Sequence, residues 1–240
     1  MTADSPVPVP LRSSVTQLLV ITKAPVPGRS KTRLTPPCTP QQAAAIAAAA
    51  VGDTLDVVRA TPVQRRVVAL DGAPGELDLT GCTVVPQVAG DLGTRLAHAF
   101  ADAMTADAVA AAGGELPTLL IGMDTPQVTA DLLVRCAERL EFGGPGTAVL
   151  GTAPDGGWWA LGVHDPAVAA VLAAVPMSRE DTAELTHAAL ERAGVTVLDL
   201  PALTDIDHLP DAVAVAALCP PDSRTRRAVD EVSAGLVGSP

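Results

Sequence analysis

Residues 17–33 read QLLVITKAPVPGRSKTR, a short apolar run that leads into a loop rich in proline and positive charge. The apolar run, residues 17–21, predicts a buried parallel strand. The loop after it then lies beyond the carboxyl end of a strand, where α/β folds bind ligands. Its prolines stiffen the backbone, and Gly28 permits conformations that other residues resist. The alternative interpretation is a solvated turn.

This loop holds a dense cationic cluster in an acidic sequence. The 240 residues carry a net charge of −11, and the two lysines, Lys23 and Lys31, both fall in the loop. Non-specific nucleic-acid binding needs a field of Lys and Arg, so we expect no nucleic-acid partner. Locally concentrated charge still suits a few phosphates. The predicted phosphate-binding residues are Lys23, Pro25, Gly28, Arg29, Lys31, Thr32 and Arg33.

Two familiar phosphate-binding motifs are missing from the loop. A P-loop needs Gly-x-x-x-x-Gly-Lys-Ser/Thr, whereas position 23 is lysine here and two residues separate Gly28 from Lys31. The dinucleotide fingerprint Gly-x-Gly-x-x-Gly is absent after the strand. The sequence therefore argues against a P-loop ATPase and a classical dehydrogenase.

Strand and helix patterns alternate along the chain. Further strands are predicted at residues 65–70, 83–86, 118–121, 147–151, 158–163 and 195–200. Helices are predicted at residues 40–59, from 91, at 129–140 with Thr129 as N-cap, at 165–174, at 178–193 and from 210. This alternation predicts a mostly parallel sheet covered on both faces. We expect one domain over residues 12–219 and a partly disordered tail over 220–240, where apolar periodicity is lost.

The cysteines and the N-terminus favour a cytoplasmic protein. The widely spaced cysteines are Cys38, Cys82, Cys136 and Cys219. No Cys-x-x-Cys pair and no histidine at metal-ligand spacing accompanies them, so we expect free structural thiols. Residues 1–11 do not read as a secretion signal. The longest apolar run, residues 43–51, is too short for a bilayer, which takes about 20 residues, so we expect no membrane partner.

Carboxylates recur at predicted strand ends. Asp124 follows the strand at 118–121, and Asp205 and Asp207 follow the last one. Mg²⁺ takes one or two protein carboxylates and completes its shell with water and substrate phosphate, so these three residues are candidate metal ligands. In an extended segment Asp205 and Asp207 would point to the same side. The alternative for Asp124 is a helix cap or a turn contact, and Asp-x-Asp alone is a weak signal.

The loop at residues 153–160, APDGGWWA, combines a carboxylate, two glycines and half of the chain's few aromatic residues. Asp155 can accept a proton or a hydrogen bond from a hydroxyl, and an indole can cover a sugar or base. The predicted acceptor-binding residues beside Asp155 are Gly156, Gly157, Trp158 and Trp159. The alternative is a plain hairpin turn with both tryptophans in the core. Strand alternation predicts one indole inward and one toward the cleft.

A further cation follows a predicted helix start. Asp91 is placed as the N-cap of the helix that begins there, a structural role. Arg95 lies one turn later and could reach an anionic ligand. We therefore add Arg95 to the predicted nucleotide-binding residues.

Five segments form a recognisable set: KAPVPGRSKTRL (23–34), GDLGTRLAHAF (90–100), IGMDTP (121–126), VLGTAPDGGWWALG (149–162) and TDIDHLPD (204–211). In this order they resemble a family of small bacterial proteins identified as uncharacterised glycosyltransferases, or as transferases associated with radical-SAM and selenium or arsenosugar gene sets. The resemblance spans about residues 16–213. It implies a three-layer α/β/α, Rossmann-like nucleotide-diphospho-sugar transferase (glycosyltransferase-A) fold. It also implies kinship with the nucleotidyltransferases of molybdenum-cofactor and deazaflavin-cofactor synthesis.

The resemblance also implies roles by position. Lys23, Arg29, Lys31 and Arg33 look like nucleotide-phosphate contacts, and the segment 155–157 looks like the acceptor-side loop. Asp124 looks like the metal aspartate, with Asp205 or Asp207 as a second acidic group near the metal. The family more often has a tyrosine-containing pair at 158–159 and a tryptophan in place of Met177. Both departures bear on the shape of the acceptor.

The leading functional hypothesis is a metal-dependent glycosyltransferase using Mg²⁺ or Mn²⁺. The metal on Asp124 would bridge the diphosphate of a nucleotide sugar while the basic loop neutralises the leaving group, and Asp155 would orient or deprotonate a small-molecule acceptor. A nucleotidyltransferase, joining an NTP to a phosphorylated acceptor and releasing pyrophosphate, would use the same residues. A non-catalytic nucleotide-binding module is the third hypothesis. Monomer and homodimer are both left open.

Overall fold

A computed structural model describes residues 14–105 and 116–237, and its centre is a seven-stranded sheet. The strands are β1 (Ser14–Lys23), β2 (Val63–Asp71), β3 (Thr83–Pro86), β4 (Thr118–Gly122), β5 (Thr147–Thr152), β6 (Trp158–Val163) and β7 (Thr196–Leu200). They lie in the order β3-β2-β1-β4-β6-β5-β7. Only β6 runs against its neighbours, so the carboxyl ends of the other six strands share one edge. The predicted mostly parallel α/β fold is confirmed.

Helices cover both faces of this sheet. They are α1 (Pro40–Ala60), α2 (Leu92–Ala103), α3 (Ala130–Gly143), α4 (Pro166–Ala169), α5 (Thr182–Arg192), α6 (Leu209–Leu218) and α7 (Arg224–Val237). Leu18 and Val20 of β1 pack with α1 and α3 on one face, while Leu19 packs with α2 and α5 on the other. This period-two alternation between two apolar faces is what a strand buried on both sides requires.

Side-chain caps set where several helices begin, as the sequence predicts. Asp91 accepts a hydrogen bond from the amide of Thr94, 2.8 Å away, at the start of α2. Thr129 accepts one from the amide of Leu132 at 3.1 Å, at the start of α3. Each side-chain oxygen satisfies an amide that has no partner within its helix.

Two helices are shorter than their patterns suggest. The predicted helix at 165–174 has one α-helical turn, α4, followed by a 3₁₀ segment at Ala170–Ala174. The predicted helix at 178–193 begins only at Thr182, because Ser178 adopts a left-handed backbone with φ of 60°. Such a residue cannot belong to a right-handed helix.

Residues 224–237 of the tail, where the loss of apolar periodicity suggested partial disorder, form helix α7. Val229 and Val232 of α7 are buried against α1 and α6. The carboxylate of Asp53 in α1 accepts hydrogen bonds from the amides of Arg224 at 3.1 Å and Thr225 at 2.8 Å. A side chain of one helix thus caps the start of another, a contact that the local sequence of the tail does not reveal.

The four cysteines have free thiols, as expected. Among residues 14–105 and 116–237, no helix is long and apolar enough to cross a membrane.

Candidate functional site

A cleft of about 980 Å³ opens at the edge of the sheet where the parallel strands end. This is where ligands bind in open α/β sheets, and the volume is at the upper end of the range for ligand pockets. Most of the predicted site residues line it: Lys23, Lys31, Thr32, Arg33, Arg95, Asp124, Asp155, Gly156, Gly157, Trp158, Trp159, Asp205 and Asp207.

Three residues of the predicted phosphate loop are not part of the cleft lining. Pro25 contributes to a second cavity, of about 630 Å³, on the other side of the loop. Gly28, with φ of 75°, and Arg29 are exposed in the turn closed by the hydrogen bond from the Arg29 amide to the Val26 carbonyl oxygen, 3.0 Å away. The prediction that Pro25, Gly28 and Arg29 contact the nucleotide finds no support in this geometry.

Two other cations of the loop are already paired with the predicted metal aspartates. The ammonium of Lys31 lies 2.9 Å from Asp124 Oδ1 and donates a hydrogen bond to the carbonyl oxygen of Ile206. Its side chain is only 8% exposed. Arg33 Nη1 lies 2.7 Å from Asp207 Oδ2. We call Lys31, Arg33, Asp124 and Asp207 the ion-paired side of the cleft.

Backbone and side-chain contacts join the two loops that carry these acids. The amide of Ile206 donates to the carbonyl oxygen of Asp124 at 2.9 Å. Gln127 Nε2 donates to the carbonyl oxygen of Thr204 at 2.7 Å. The alternative role of Asp124 as a helix cap is not observed, because Thr129 caps α3. The loop after β4 and the loop after β7 therefore form one framework around Lys31.

The opposite side of the cleft, which we call the basic side, consists of Lys23 and Arg95. In the described part of the chain Lys23 forms no ion pair, and Arg95 has one long ion pair, 3.6 Å from Asp71 Oδ2. Arg95 Nη1 also donates to Gln87 Oε1 at 3.2 Å, while its buried Nε has no hydrogen-bond partner. The basic side therefore retains positive charge and donor capacity for a ligand.

Asp205 lies close enough to the carboxylates of Asp155 and Asp124 to feel their negative charge. Burial raises its pKa to about 6, helped by the negative charges of Asp155 and Asp124 and opposed by the ammonium of Lys31. Asp207 follows two residues later but pairs with Arg33 and lies 3.4 Å from His208 Nδ1. Residues 201–207 do not form a strand, so the alternation argument for Asp205 and Asp207 pointing to the same side does not apply.

Asp124 and Asp205 could bind a cation whose other ligands come from the substrate and water, but they do not form a complete protein metal site. Among the described residues, no three Asp, Glu, His or Cys side chains are placed to hold a metal together. Asp124 and Asp205 remain two carboxylates near one point, and charge repulsion at Asp205 is what a cation would relieve. Mg²⁺ commonly uses one or two carboxylates with phosphate and water, so the donor set fits that cation.

The Asp155 loop is held against the protein by its glycine. Asp155 Oδ1 accepts a hydrogen bond from the amide of Gly157 at 2.8 Å. Gly156 has φ of 87°, and a Cβ at that position would lie 1.8 Å from the carbonyl oxygen of Glu180. Its own carbonyl oxygen accepts from the amide of Ala183 at 2.8 Å. Gly156 therefore permits close approach of the protein backbone, and it also lines the cleft.

The two tryptophans lie on opposite faces of the sheet, as alternation predicts. Trp159 is 3% exposed and donates from Nε1 to the carbonyl oxygen of Pro201 at 2.9 Å. Trp158 is half-buried and donates to Thr186 Oγ1 at 3.1 Å. Both line the cleft, but both indole N–H groups are used within the protein. A ligand would meet ring carbons and not an indole donor.

Several cleft residues escaped the sequence interpretation. Gln87 directly follows β3, and a polar residue at a strand end is the signal that could have found it. The segment 178–180 forms another wall beside Met177, which the family resemblance connects with the acceptor, and contributes Arg179, which pairs with Asp181 at 2.8 Å. The predicted helix at 178–193 includes these residues, so the sequence did not mark them as a cleft wall.

Comparisons with known proteins agree with this fold. A candidate nucleotide-diphospho-sugar transferase from Desulfovibrio desulfuricans G20 superposes with a TM-score of 0.75 at 24% identity, covering 92% of this chain and 96% of that one. Rv0371c from Mycobacterium tuberculosis H37Rv gives 0.54 at 22% identity, with coverage of 83% and 97%. The 4-diphosphocytidyl-2C-methyl-D-erythritol synthase from Anaerococcus prevotii DSM 20548 gives 0.53 at 12% identity, with coverage of 84% and 95%. These likenesses show a shared fold. No curated protein sequence matches the chain.

A family profile covers the central part of the site. Residues 54–179, just over half of the chain, match the family described as "Uncharacterized protein conserved in bacteria (DUF2064)". The matched region contains Arg95, Asp124 and Asp155, while the loop at 23–33 precedes it. The chain therefore belongs to this bacterial family, DUF2064.

Proposed function

We propose that this protein is a transferase that moves a sugar from a nucleotide-diphosphate sugar to a small-molecule acceptor with the help of Mg²⁺ or Mn²⁺. The observation that carries the proposal is that one cleft, at the carboxyl edge of the sheet, combines the basic side with the converging carboxylates Asp124, Asp155 and Asp205. Its volume of about 980 Å³ leaves room for a nucleotide sugar.

The basic side is suited to the diphosphate. Lys23 supplies an ammonium with no ion pair among the described residues, and Arg95 supplies a guanidinium whose one ion pair there is the 3.6 Å contact with Asp71. Charged donors bind phosphate oxygens more strongly than neutral ones do. Positive charge held here before the reaction also stabilises the negative charge of a departing nucleotide diphosphate.

Asp124 and Asp205 are the residues that would hold the divalent cation. When bound, the cation neutralises charge on the diphosphate. Lys31 lies against Asp124 and so maintains that carboxylate in a fixed position between two loops. A diphosphate that binds together with a divalent cation would contact both the Asp124 carboxylate and the Lys31 ammonium.

Asp155 is the candidate acceptor-side base. One of its oxygens accepts from the Gly157 amide, which fixes the carboxylate and leaves the other oxygen for an acceptor hydroxyl. The acceptor oxygen forms a bond to the anomeric carbon of the sugar, and the bond from that carbon to the diphosphate oxygen breaks. The nucleotide diphosphate leaves with the electron pair, and Asp155 takes the hydroxyl proton.

Nucleotidyl transfer is the second candidate, because the fold is shared with the 4-diphosphocytidyl-2C-methyl-D-erythritol synthase described above. In nucleotidyl transfer a phosphorylated acceptor would attack the α-phosphate of an NTP and release pyrophosphate, using the same basic side and carboxylates.

The association with radical-SAM, selenium or arsenosugar gene sets and the cytoplasmic location stay predictions. A non-catalytic nucleotide-binding module is the third candidate.

One experiment separates these candidates. The protein is incubated with Mg²⁺ or Mn²⁺ and either a panel of nucleotide sugars with sugar or organic acceptors, or NTPs with sugar or organic phosphates. Metal-dependent release of a nucleoside diphosphate supports glycosyl transfer, and pyrophosphate supports nucleotidyl transfer. Tight nucleotide binding without either product, retained in Asp155→Asn, supports the binding module.

A further inference from the structure

Both the nitrogen and the oxygen of the Gln87 carboxamide form hydrogen bonds within the protein. Its Nε2 donates to the carbonyl oxygen of Thr22 at 2.7 Å and to that of Ala69 at 2.9 Å. Both acceptors are carbonyls at the carboxyl ends of β1 and β2, and a carbonyl can only accept. The orientation of the amide is therefore determined by its partners, and Oε1 is the atom left to face Arg95.

Arg95 lies between two acceptors of different charge. Its Nη1 is 3.2 Å from Gln87 Oε1 and 3.6 Å from Asp71 Oδ2. The first distance is that of a hydrogen bond, and the second is too long for one. The neutral carboxamide leaves the charge of Arg95 available, whereas a direct ion pair with Asp71 would neutralise it.

We infer that Gln87 is a positioning residue that holds Arg95 in the cleft for the diphosphate and keeps its guanidinium from closing onto Asp71. This rests on the proposed nucleotide binding. The Arg95 side chain lines the cleft and is 27% exposed, so its guanidinium can meet an incoming phosphate oxygen. Gln87 acts only through Arg95 and does not itself bind the phosphate.

The test is nucleoside diphosphate affinity, measured by calorimetry with UDP, GDP, CDP, ADP and dTDP, and continued with whichever binds the wild-type chain most tightly. Gln87→Met retains the length of the side chain and removes the carboxamide. We expect its Kd to rise about fivefold to tenfold, the effect of losing one ordinary hydrogen bond, because the loss acts on the ligand only through Arg95. Arg95→Met should raise the Kd at least as much, and adding Gln87→Met to Arg95→Met should cause no further loss.

Asp71→Asn provides a rescue that a merely structural role for Gln87 does not predict. In the Gln87→Met background it should restore the Kd to within about threefold of wild type, because the competing carboxylate is gone. In the wild-type background it should change the Kd by less than about threefold, since Gln87 already holds Arg95 away. This last measurement does not depend on the folding of a Gln87 variant.

The outcomes separate this inference from the proposed function. The positioning role is overturned if Gln87→Met weakens diphosphate binding equally with and without Arg95, or does not weaken it at all. It is also overturned if Asp71→Asn alone tightens binding more than tenfold. A wild-type chain that binds none of the five diphosphates overturns the proposed function and this inference together. Thermal melting of each variant checks that the compared proteins are folded.

Discussion

The two sides of the cleft both carry charged side chains but use them differently. On the ion-paired side, Lys31 and Arg33 face Asp124 and Asp207 at 2.9 and 2.7 Å. On the basic side, the one ion pair in the described structure is the 3.6 Å contact of Arg95. The number of cations in a loop therefore does not set the charge that the cleft exposes, because partners from other loops neutralise some of them.

The largest effect should come from Asp124, which joins the ion-paired side to the proposed metal. Asp124→Asn removes the carboxylate charge, and we expect turnover to fall about 100-fold, the usual scale for losing one preorganised electrostatic group. Release of nucleotide product under saturating Mg²⁺ or Mn²⁺ measures it. Asp131→Asn, at an exposed carboxylate on α3, is the matched control. Unchanged turnover in Asp124→Asn would remove this residue from the metal site.

The next effect distinguishes two cations of the same loop. Lys23→Ala should raise the Kd of the best-bound nucleoside diphosphate about tenfold, because Lys23 lines the cleft and lacks an ion-pair partner in the described structure. Arg29→Ala should change it less than about twofold, since Arg29 lies outside the cleft lining. Calorimetry at a single ionic strength compares the two. Equal losses would show that the whole loop contacts the nucleotide.

A pH-dependent effect tests the converging carboxylates. The pKa of Asp205 is raised to about 6 in the folded chain, from about 3.9 in an unfolded one. Its contribution to stability is therefore complete below about pH 4 and is lost as pH rises through 6. Asp205→Asn should match the wild type at pH 4 and exceed it by on the order of 1–2 kcal/mol at pH 7.5, allowing for partial exposure. Denaturant unfolding with a chelator present measures the difference, and a constant difference across this range would contradict it.

The smallest effect should come from Arg33, whose side chain is 60% exposed and paired with Asp207. Arg33→Ala should alter diphosphate affinity less than about threefold and the free energy of unfolding by less than about 1 kcal/mol, as for other exposed ion pairs. A loss as large as that in Lys23→Ala would mean that Arg33 leaves Asp207 for the ligand, and the two sides would then differ less than the free structure suggests.

Much of the fold follows from local pattern. The strands of a parallel sheet are buried on both faces, so they appear as continuous apolar runs such as residues 17–21. The caps Asp91 and Thr129 act within their own turns and are readable in the same way. The helix at 224–237 is different, because its first amides are capped by Asp53, about 170 residues earlier. No local pattern contains that contact.

The candidate site also contains residues that local sequence predicts and residues whose roles depend on distant contacts. Placing Lys23, Asp124 and Asp155 at strand ends predicts that they share an edge, and the structure puts all three in one cleft. The left-handed backbone of Lys31, with φ of 49°, was not predicted, since it is uncommon for a residue with a Cβ. Gln87 was missed because its role depends on carbonyl groups of two other strands.

Local sequence is enough to predict that a strand ends in a proline-rich basic loop, and that carboxylates and a tryptophan pair follow other strands. Periodicity and strand ends are properties of neighbouring residues. The contacts of Lys31 with Asp124 and Ile206, and the lack of a short ion pair at Lys23 and Arg95 among the described residues, depend on the folded arrangement. Such pairings join residues up to 175 positions apart, and they depend on which loops the sheet order makes neighbours.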